Sequence, residues 1–273
     1  MKFKKLRRIY RTLFPVKFSE EQKFINKLKA SSLIKEFKQF NSLFVLKFYN
    51  DELIYLRDQS HSDYAVFNQM FILEEYKTVS SILKLNIEFN SKESVLIDAG
   101  ANVGFATIYL NQNLSFNKIF CIEPSKENFK ILKKNTAALN SKHILFLINK
   151  ALSGSENVCF TIENDFRDGK DWSITTKESD SGDIKGITLN EIVKKNNLQE
   201  ITLLKIDIEG AERFVFESSS DLSFLDITKV IVIEIHDEFN IRANIYSILE
   251  QKQFILIESG ETTIGINKKH LKF

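Results

Sequence analysis

Charged side chains close apolar runs at four places in this 273-residue chain. Asp98 closes VLIDAG, Glu123 closes KIFCIEP, Asp207 and Glu209 close LLKIDIEG, and Glu234 with His236 closes KVIVIEIHD. A charge inside such a run is costly unless it is paired or used, and strand ends are where open α/β sheets bind ligands. The first run leads into AGANVGFAT, in which Gly100, Asn102 and Gly104 make a turn ahead of a helix. Glycines allow a tight turn and close approach of a ligand to the backbone, and the helix start offers free N–H donors. The order G-x-N-x-G departs from the dinucleotide fingerprint, and Asp98 beside it would repel a pyrophosphate. A cofactor that lacks phosphates and carries an ammonium suits that carboxylate better. Glu123 stands nineteen residues beyond Gly104, where an acid accepts hydrogen bonds from both ribose hydroxyls. Turn and acid together predict an adenosine site.

The remaining charges face the same crevice. Asp207, Glu209 and Glu212 surround the end of LLKIDIEGAE, with Lys205 available to pair one of them. Strand alternation puts Glu234 and His236 on one side. A histidine among carboxylates can deprotonate a hydroxyl near neutral pH, and at the end of a core strand it can equally be an ordinary hydrogen-bonded residue.

Short β-branched runs alternate with helical stretches from Ser94 onward, which predicts a parallel sheet with crossovers. FILIES and TTIGINKK are separated by a few residues around Gly260, too few for a crossover, so they should form an antiparallel hairpin. Residues 19–41 and Asp63 to Leu85 are predicted helical, the second with Val66, Met70, Leu73, Val79 and Leu83 on an inner face, and Phe44 to Leu56 alternates as strand. Between Ser155 and Gly186 a polar, β-rich insertion carries Trp172 and is placed where it could cover a site.

Composition narrows the class. A hydrophobic content of 43% in 273 residues supports a large globular core. Two cysteines, Cys121 and Cys159, allow neither a disulfide framework nor a four-cysteine zinc site, which points to a reducing, cytoplasmic setting. No apolar run reaches the roughly 18 residues of a spanning helix, and no leader pattern is visible, so a soluble protein is expected. The net charge of +2 hides an asymmetry: residues 1–50 hold 13 Lys and Arg against 3 Glu, which leaves the remainder at −8. In residues 1–18, Phe3, Leu6, Ile9, Tyr10, Leu13 and Phe14 recur at helical spacing among Lys and Arg. Such an arm suits peripheral contact with an anionic membrane, at its inner face, or packing on its own body. The acidic body disfavours nucleic acid as a partner.

IDAGANVG, IEPSKENFKILKKN, INKALS, ITLNEI and LLKIDIEGAE follow one another in the order and spacing of the FkbM-type S-adenosylmethionine-dependent methyltransferases, which the chain resembles from about Asp63 to its end. DYAVFNQMFILEEY is similar to the helical lead-in of members linked to glycan modification. The resemblance implies an α/β fold of class I, Rossmann-like, with a seven-stranded parallel sheet whose last strand is antiparallel. It would be preceded by a basic, mostly helical extension over residues 1–60, the methyltransferase domain being 61–273 with its core at 94–273. By position, Asp98, Gly100, Asn102 and Gly104 would surround the methionine end of S-adenosylmethionine, Glu123 would hold the ribose and Ala151 would border the adenine. Asp207 and Glu209 would lie where methyl and acceptor meet. The catalytic base stays open between Asp207 and His236.

The expected activity is O-methylation of a sugar hydroxyl in a surface glycan or its precursor. A hydroxyl of such low acidity needs a carboxylate or histidine base, or a divalent metal such as magnesium, for which Asp207, Glu209, Glu234 and His236 could supply ligands. A small natural product or lipid acceptor, or a cofactor-binding module without catalysis, is the alternative. KIDIEGAE contains no Pro, so the Asn/Asp-Pro-Pro-aromatic cue of N-methyltransferases is missing. The missing third glycine position argues against a nicotinamide-dependent oxidoreductase.

Overall fold

The computed structural model describes residues 18–85, 93–141, 144–163, 175–179 and 182–271, in two compact units, residues 1–60 and 61–273. The basic arm up to residue 17, and Trp172, lie outside the described residues.

In the first unit, Ser19 starts helix α1 (Glu20–Ala30) through a capping box with Gln22. Strands β1 (Ile34–Phe40), β2 (Leu43–Phe48) and β3 (Leu53–Arg57) form an antiparallel meander. Phe44, Leu46 and Phe48 alternate inward along β2, and Phe44 meets Phe24 of α1 edge to face, 6.1 Å between centroids. The helix expected over 19–41 therefore stops at Ala30, and the described part of the extension is one helix and a β-meander rather than mostly helix. The edge strand β1 buries only Ile34. Its Lys and Glu residues face solvent, as suits an exposed edge, so the two-residue period that marks a half-buried strand is missing.

The second unit is built on a seven-stranded sheet. Its strands are β4 (Val95–Ala99), β5 (Lys118–Ile122), β6 (Ile144–Ile148), β11 (Ile201–Ile206), β12 (Thr228–Glu234), β13 (Phe254–Ser259) and β14 (Thr262–Asn267). Across the sheet they run β13-β14-β12-β11-β4-β5-β6. The strands pair in parallel from β12 through β6, while β14 is antiparallel to both β12 and β13. The parallel sheet with an antiparallel last strand, and the hairpin at Gly260, are as the sequence implies. All of β4 and β11 is buried, which explains why these strands read as apolar runs without alternation. The chain leaves β4 for β5 and β6 on one side and returns to β11 on the other. The crevice beyond β4 and β11 is thus a topological switch point.

The helices fix the edges of that crevice. Helix α4 (Phe105–Leu114) is buried along most of its length. Helix α5 (Lys126–Thr136) starts at Ser125, whose side chain accepts from the Asn128 N–H. Thr188 and Glu191 form a capping box at α6 (Leu189–Asn196), the ITLNE segment. The stretch 63–85 is not one helix. It comprises α2 (Asp63–Phe67), a π-helical turn over Asn68–Ile72, a break in which Glu74 is left-handed at φ 51, and α3 (Lys77–Leu85). The break leaves Leu73 exposed instead of inward. In the 155–186 insertion, β8 (Cys159–Glu163), β9 (Thr175–Glu178) and β10 (Ile184–Ile187) join β7 (Ala151–Leu152) in a small sheet ordered β7-β10-β8-β9. Among the described residues none of 155–186 lines the crevice.

Candidate active site

The turn after β4 and the end of β11 touch through their backbones. The Asp207 N–H donates to the Ala99 carbonyl at 3.1 Å. Gly100, at φ 77, lies so close that a Cβ there would stand 1.7 Å from the Asp207 carbonyl oxygen. The N–H groups of Gly100 and Ala101 donate to Ile122 of β5, and the Asn135 side chain of α5 donates to the Val103 carbonyl at 2.7 Å. Gly104 ends the turn at φ 89 as the N-cap of α4.

A cavity of about 380 Å³ opens on this turn, a size that fits a cofactor-binding site. Gly100, Asn102, Glu123, Ala151, Asp207 and Glu209 line it. Glu123 closes one end. Its Oε2 accepts from the Asn102 N–H at 2.8 Å and its Oε1 from the Ser125 N–H at 2.9 Å. Burial pushes its carboxyl up to about 7, against the pull of those two backbone donors. Asn102 is left-handed at φ 48, and its Oδ1 is a buried acceptor without a hydrogen-bond partner. The fully buried Asp98 does not line the cavity. It accepts from Thr107 Oγ1 at 2.5 Å and pairs with Lys205 Nζ at 3.2 Å, its neighbour across the β4–β11 register. Its carboxylate therefore acts through the turn rather than on a ligand directly. Lys205 also donates to the Gly100 carbonyl at 2.8 Å and lies 3.5 Å from Asp207 Oδ2. Burial opposes its charge, but Asp98 and Asp207 hold it protonated well above the usual lysine range.

Acids crowd the other end, where Glu75, Asp207, Glu209, Glu234 and Glu261 all line the cavity. Glu209 is left-handed at φ 54, a conformation that costs a non-glycine residue about 1–2 kcal/mol. His236, 2% exposed, is absent from the lining. Its Nε2 is 3.2 Å from Glu209 and 3.7 Å from Glu234, and its Nδ1 is 3.3 Å from Glu212 at the start of α7 (Glu212–Val215). Burial opposes its protonation, yet the carboxylates of Glu209 and Glu212 beside its two ring nitrogens push it up to about 11. Carboxylates beside both ring nitrogens favour the imidazolium, and of the two base candidates Asp207 is the one that faces the cavity.

Two groups bring ligand atoms within 4.8 Å of one another: Asp207, Glu209 and His236, and separately Glu75, Glu234 and Glu261. Sequence reasoning assigned no role to Glu75, Tyr76 or Glu261. Glu75 and Tyr76 end the segment DYAVFNQMFILEEY but reach the cavity only through the break after the π-turn, and Glu261 lies in the β13–β14 turn, which leaves no motif.

The sheet order, the glycine turn at the switch point and the acid that closes β5 define a class I S-adenosylmethionine-dependent methyltransferase. A family model described as the methyltransferase FkbM domain matches residues 98–256. The chain belongs to that family, and is with it a methyltransferase that uses S-adenosylmethionine. It is 23% identical over 208 residues to Methyltransferase 1 of Beauveria bassiana (strain ARSEF 2860), spanning 63% of this chain and 82% of that protein. It is 24% identical over 192 residues to Methyltransferase sdnD of Sordaria araneosa, spanning 58% and 73%. Among solved structures, methyltransferase FkbM from Methylobacillus flagellatus KT is similar with a TM-score of 0.41 at 15% identity, over 64% of this chain and 43% of that one. TrmK of M. capricolum, in complex with S-adenosyl-homocysteine, is similar with a TM-score of 0.38 at 14% identity, over 72% and 71%.

Proposed function

We propose that the chain transfers the methyl group of S-adenosylmethionine to a hydroxyl of a sugar in a surface glycan or its precursor. The observation that supports this reading is that one cavity is lined both by the ribose-type acid Glu123 and by Asp207 among further carboxylates. The residues fit the cofactor: Gly100, which has no room for a Cβ against the Asp207 carbonyl, holds the turn close to the end of β11 on the cavity wall, and Asn102 Oδ1 is a buried acceptor in want of a donor. Glu123 would hold the ribose hydroxyls, the Gly100 to Gly104 turn the methionine end, and Ala151 the adenine edge.

Bound S-adenosylmethionine supplies an activated sulfonium methyl, so the protein's share is alignment and proton removal. Asp207 accepts the proton of the acceptor hydroxyl. Its position is fixed by Lys205 and by the backbone bond to Ala99. Glu209, oriented by the His236 imidazolium, hydrogen-bonds the neighbouring hydroxyl of a polyhydroxylated acceptor. Asp207 and Glu209 could also hold magnesium, although His236, already paired with Glu212, would have to lose its proton to join them.

Transfer of labelled methyl to lipid-linked or free oligosaccharides tests the reading. Wild type should label a sugar hydroxyl, and Asp207→Asn should lose turnover while still binding S-adenosylhomocysteine. Labelling of lipid extracts or small metabolites instead would move the acceptor to those classes, and activity that survives chelation would remove the metal. We further propose that residues 1–18 hold the enzyme on anionic membrane. Equal sedimentation with anionic liposomes by a protein lacking them would sink that idea.

A further inference from the structure

Glu75, Glu234 and Glu261 come from three separate parts of the second unit. Glu75 follows the π-turn, held there by its N–H to the Gln69 carbonyl at 3.1 Å. Glu234 ends β12. Glu261 precedes Thr262, the residue paired with Glu234 across the sheet. Their carboxylate oxygens converge within 4.8 Å of one another on the cavity wall.

We propose that these three acids form a subsite for a positively charged group of the acceptor, a primary ammonium such as that of an amino sugar, which refines the methyltransferase reading given above. An ammonium brings three N–H donors and no acceptor, which three converging carboxylates satisfy. A second observation is independent of the acids. Tyr76, 2% exposed, lines the same cavity, and its hydroxyl has no hydrogen-bond partner among the described residues. The hydroxyl opens on the cavity, where a polar group bound beside Glu75 would supply its partner.

Charge points the same way. Around the cavity, the buried cations Lys205 and His236 are matched by the buried acids Asp98 and Glu212, all four nearly or fully out of solvent. Five lining carboxylates remain besides Glu123, whereas the cofactor carries one net positive charge, its sulfonium and ammonium set against its own carboxylate. A cation placed among the three converging carboxylates offsets their mutual repulsion.

The test is calorimetric titration of the full chain, saturated with S-adenosylhomocysteine, with glucosamine, N-acetylglucosamine and magnesium chloride. Glucosamine should bind about tenfold more tightly than its uncharged N-acetyl counterpart, and Glu75→Gln and Glu261→Gln should each remove most of that preference. S-adenosylhomocysteine affinity and melting temperature should be unchanged in both variants. Four results overturn the subsite: equal binding of the two sugars, a preference that survives both substitutions, magnesium alone binding with the same dependence on these acids, or variants that weaken S-adenosylhomocysteine. Failure of the wild type to bind S-adenosylhomocysteine overturns the methyltransferase reading itself, and the subsite with it.

Discussion

Lys205 and Asp98 sit side by side on neighbouring parallel strands, Nζ 3.2 Å from Oδ1, with both side chains nearly or wholly out of solvent. The pair joins the strand that carries the glycine turn to the strand that carries Asp207. Removing one partner of such a pair leaves a buried charge uncompensated. Lys205→Ala should therefore lose about 3–5 kcal/mol of stability, and the double change Lys205→Met with Asp98→Asn clearly less. Urea unfolding of the singles and the double measures this, and additive losses would mean the two groups do not interact.

His236 should stay protonated across the physiological range. Its folded value of about 11 lies above the ordinary 6.5, so its contribution to stability is full below about 6.5 and is lost as pH rises through about 11. Nitrogen and carbon shifts of the ring, followed by NMR from about pH 6 to about pH 9, should remain those of an imidazolium. A titration near pH 7 would restore histidine as a candidate base.

Cofactor affinity should depend on Glu123 through its charge. Burial raises this carboxyl from 4.5 to about 7, so it gains a proton as pH falls through that value. Only the ionised form offers every lone pair to ribose hydroxyls. S-adenosylhomocysteine should bind more weakly below about pH 7 than above it, and Glu123→Gln should be weak and flat with pH. Calorimetry at three pH values is enough, and a wild type equally flat would remove Glu123 from the ribose.

Gly100 and Gly260 make a matched comparison, since both have positive φ, 77 and 64, but only Gly100 is enclosed. Gly260→Ala should cost about 1 kcal/mol, from backbone strain alone. Gly100→Ala must also push Asp207 away, and should cost at least about 3 kcal/mol and abolish cofactor binding. Thermal unfolding and ligand titration distinguish them, and equal losses would mean that the closeness of the two strand ends is unimportant.

The parts of this site legible in the sequence are local ones. Gly100, Asn102, Glu123 and Asp207 stand within a residue or three of a strand end, where an apolar run and its terminating charge are contiguous. Lys205 was visible as a partner for one acid, but its choice of Asp98 needed the β4–β11 register. His236 looked like a base because its spacing from Glu234 could be read. Its paired state depends on Glu209 and Glu212, which the fold brings to both ring nitrogens. Strand β1 was hidden because its polar residues carry no two-residue period, and the break at Glu74 because an apolar stripe at helical spacing runs straight through it.

The π-turn at Asn68–Ile72 adds a residue to the winding of its helix, seen in the Leu73 N–H reaching the Asn68 carbonyl five residues back. Each residue of an α-helix turns the chain by about 100°. Deleting a single residue there would restore ordinary winding and swing Glu75 and Tyr76 off the cavity with neither one mutated. A one-residue change of length between Asn68 and Ile72 should therefore reshape the cavity wall at Glu75 and Tyr76 as a substitution of those residues would.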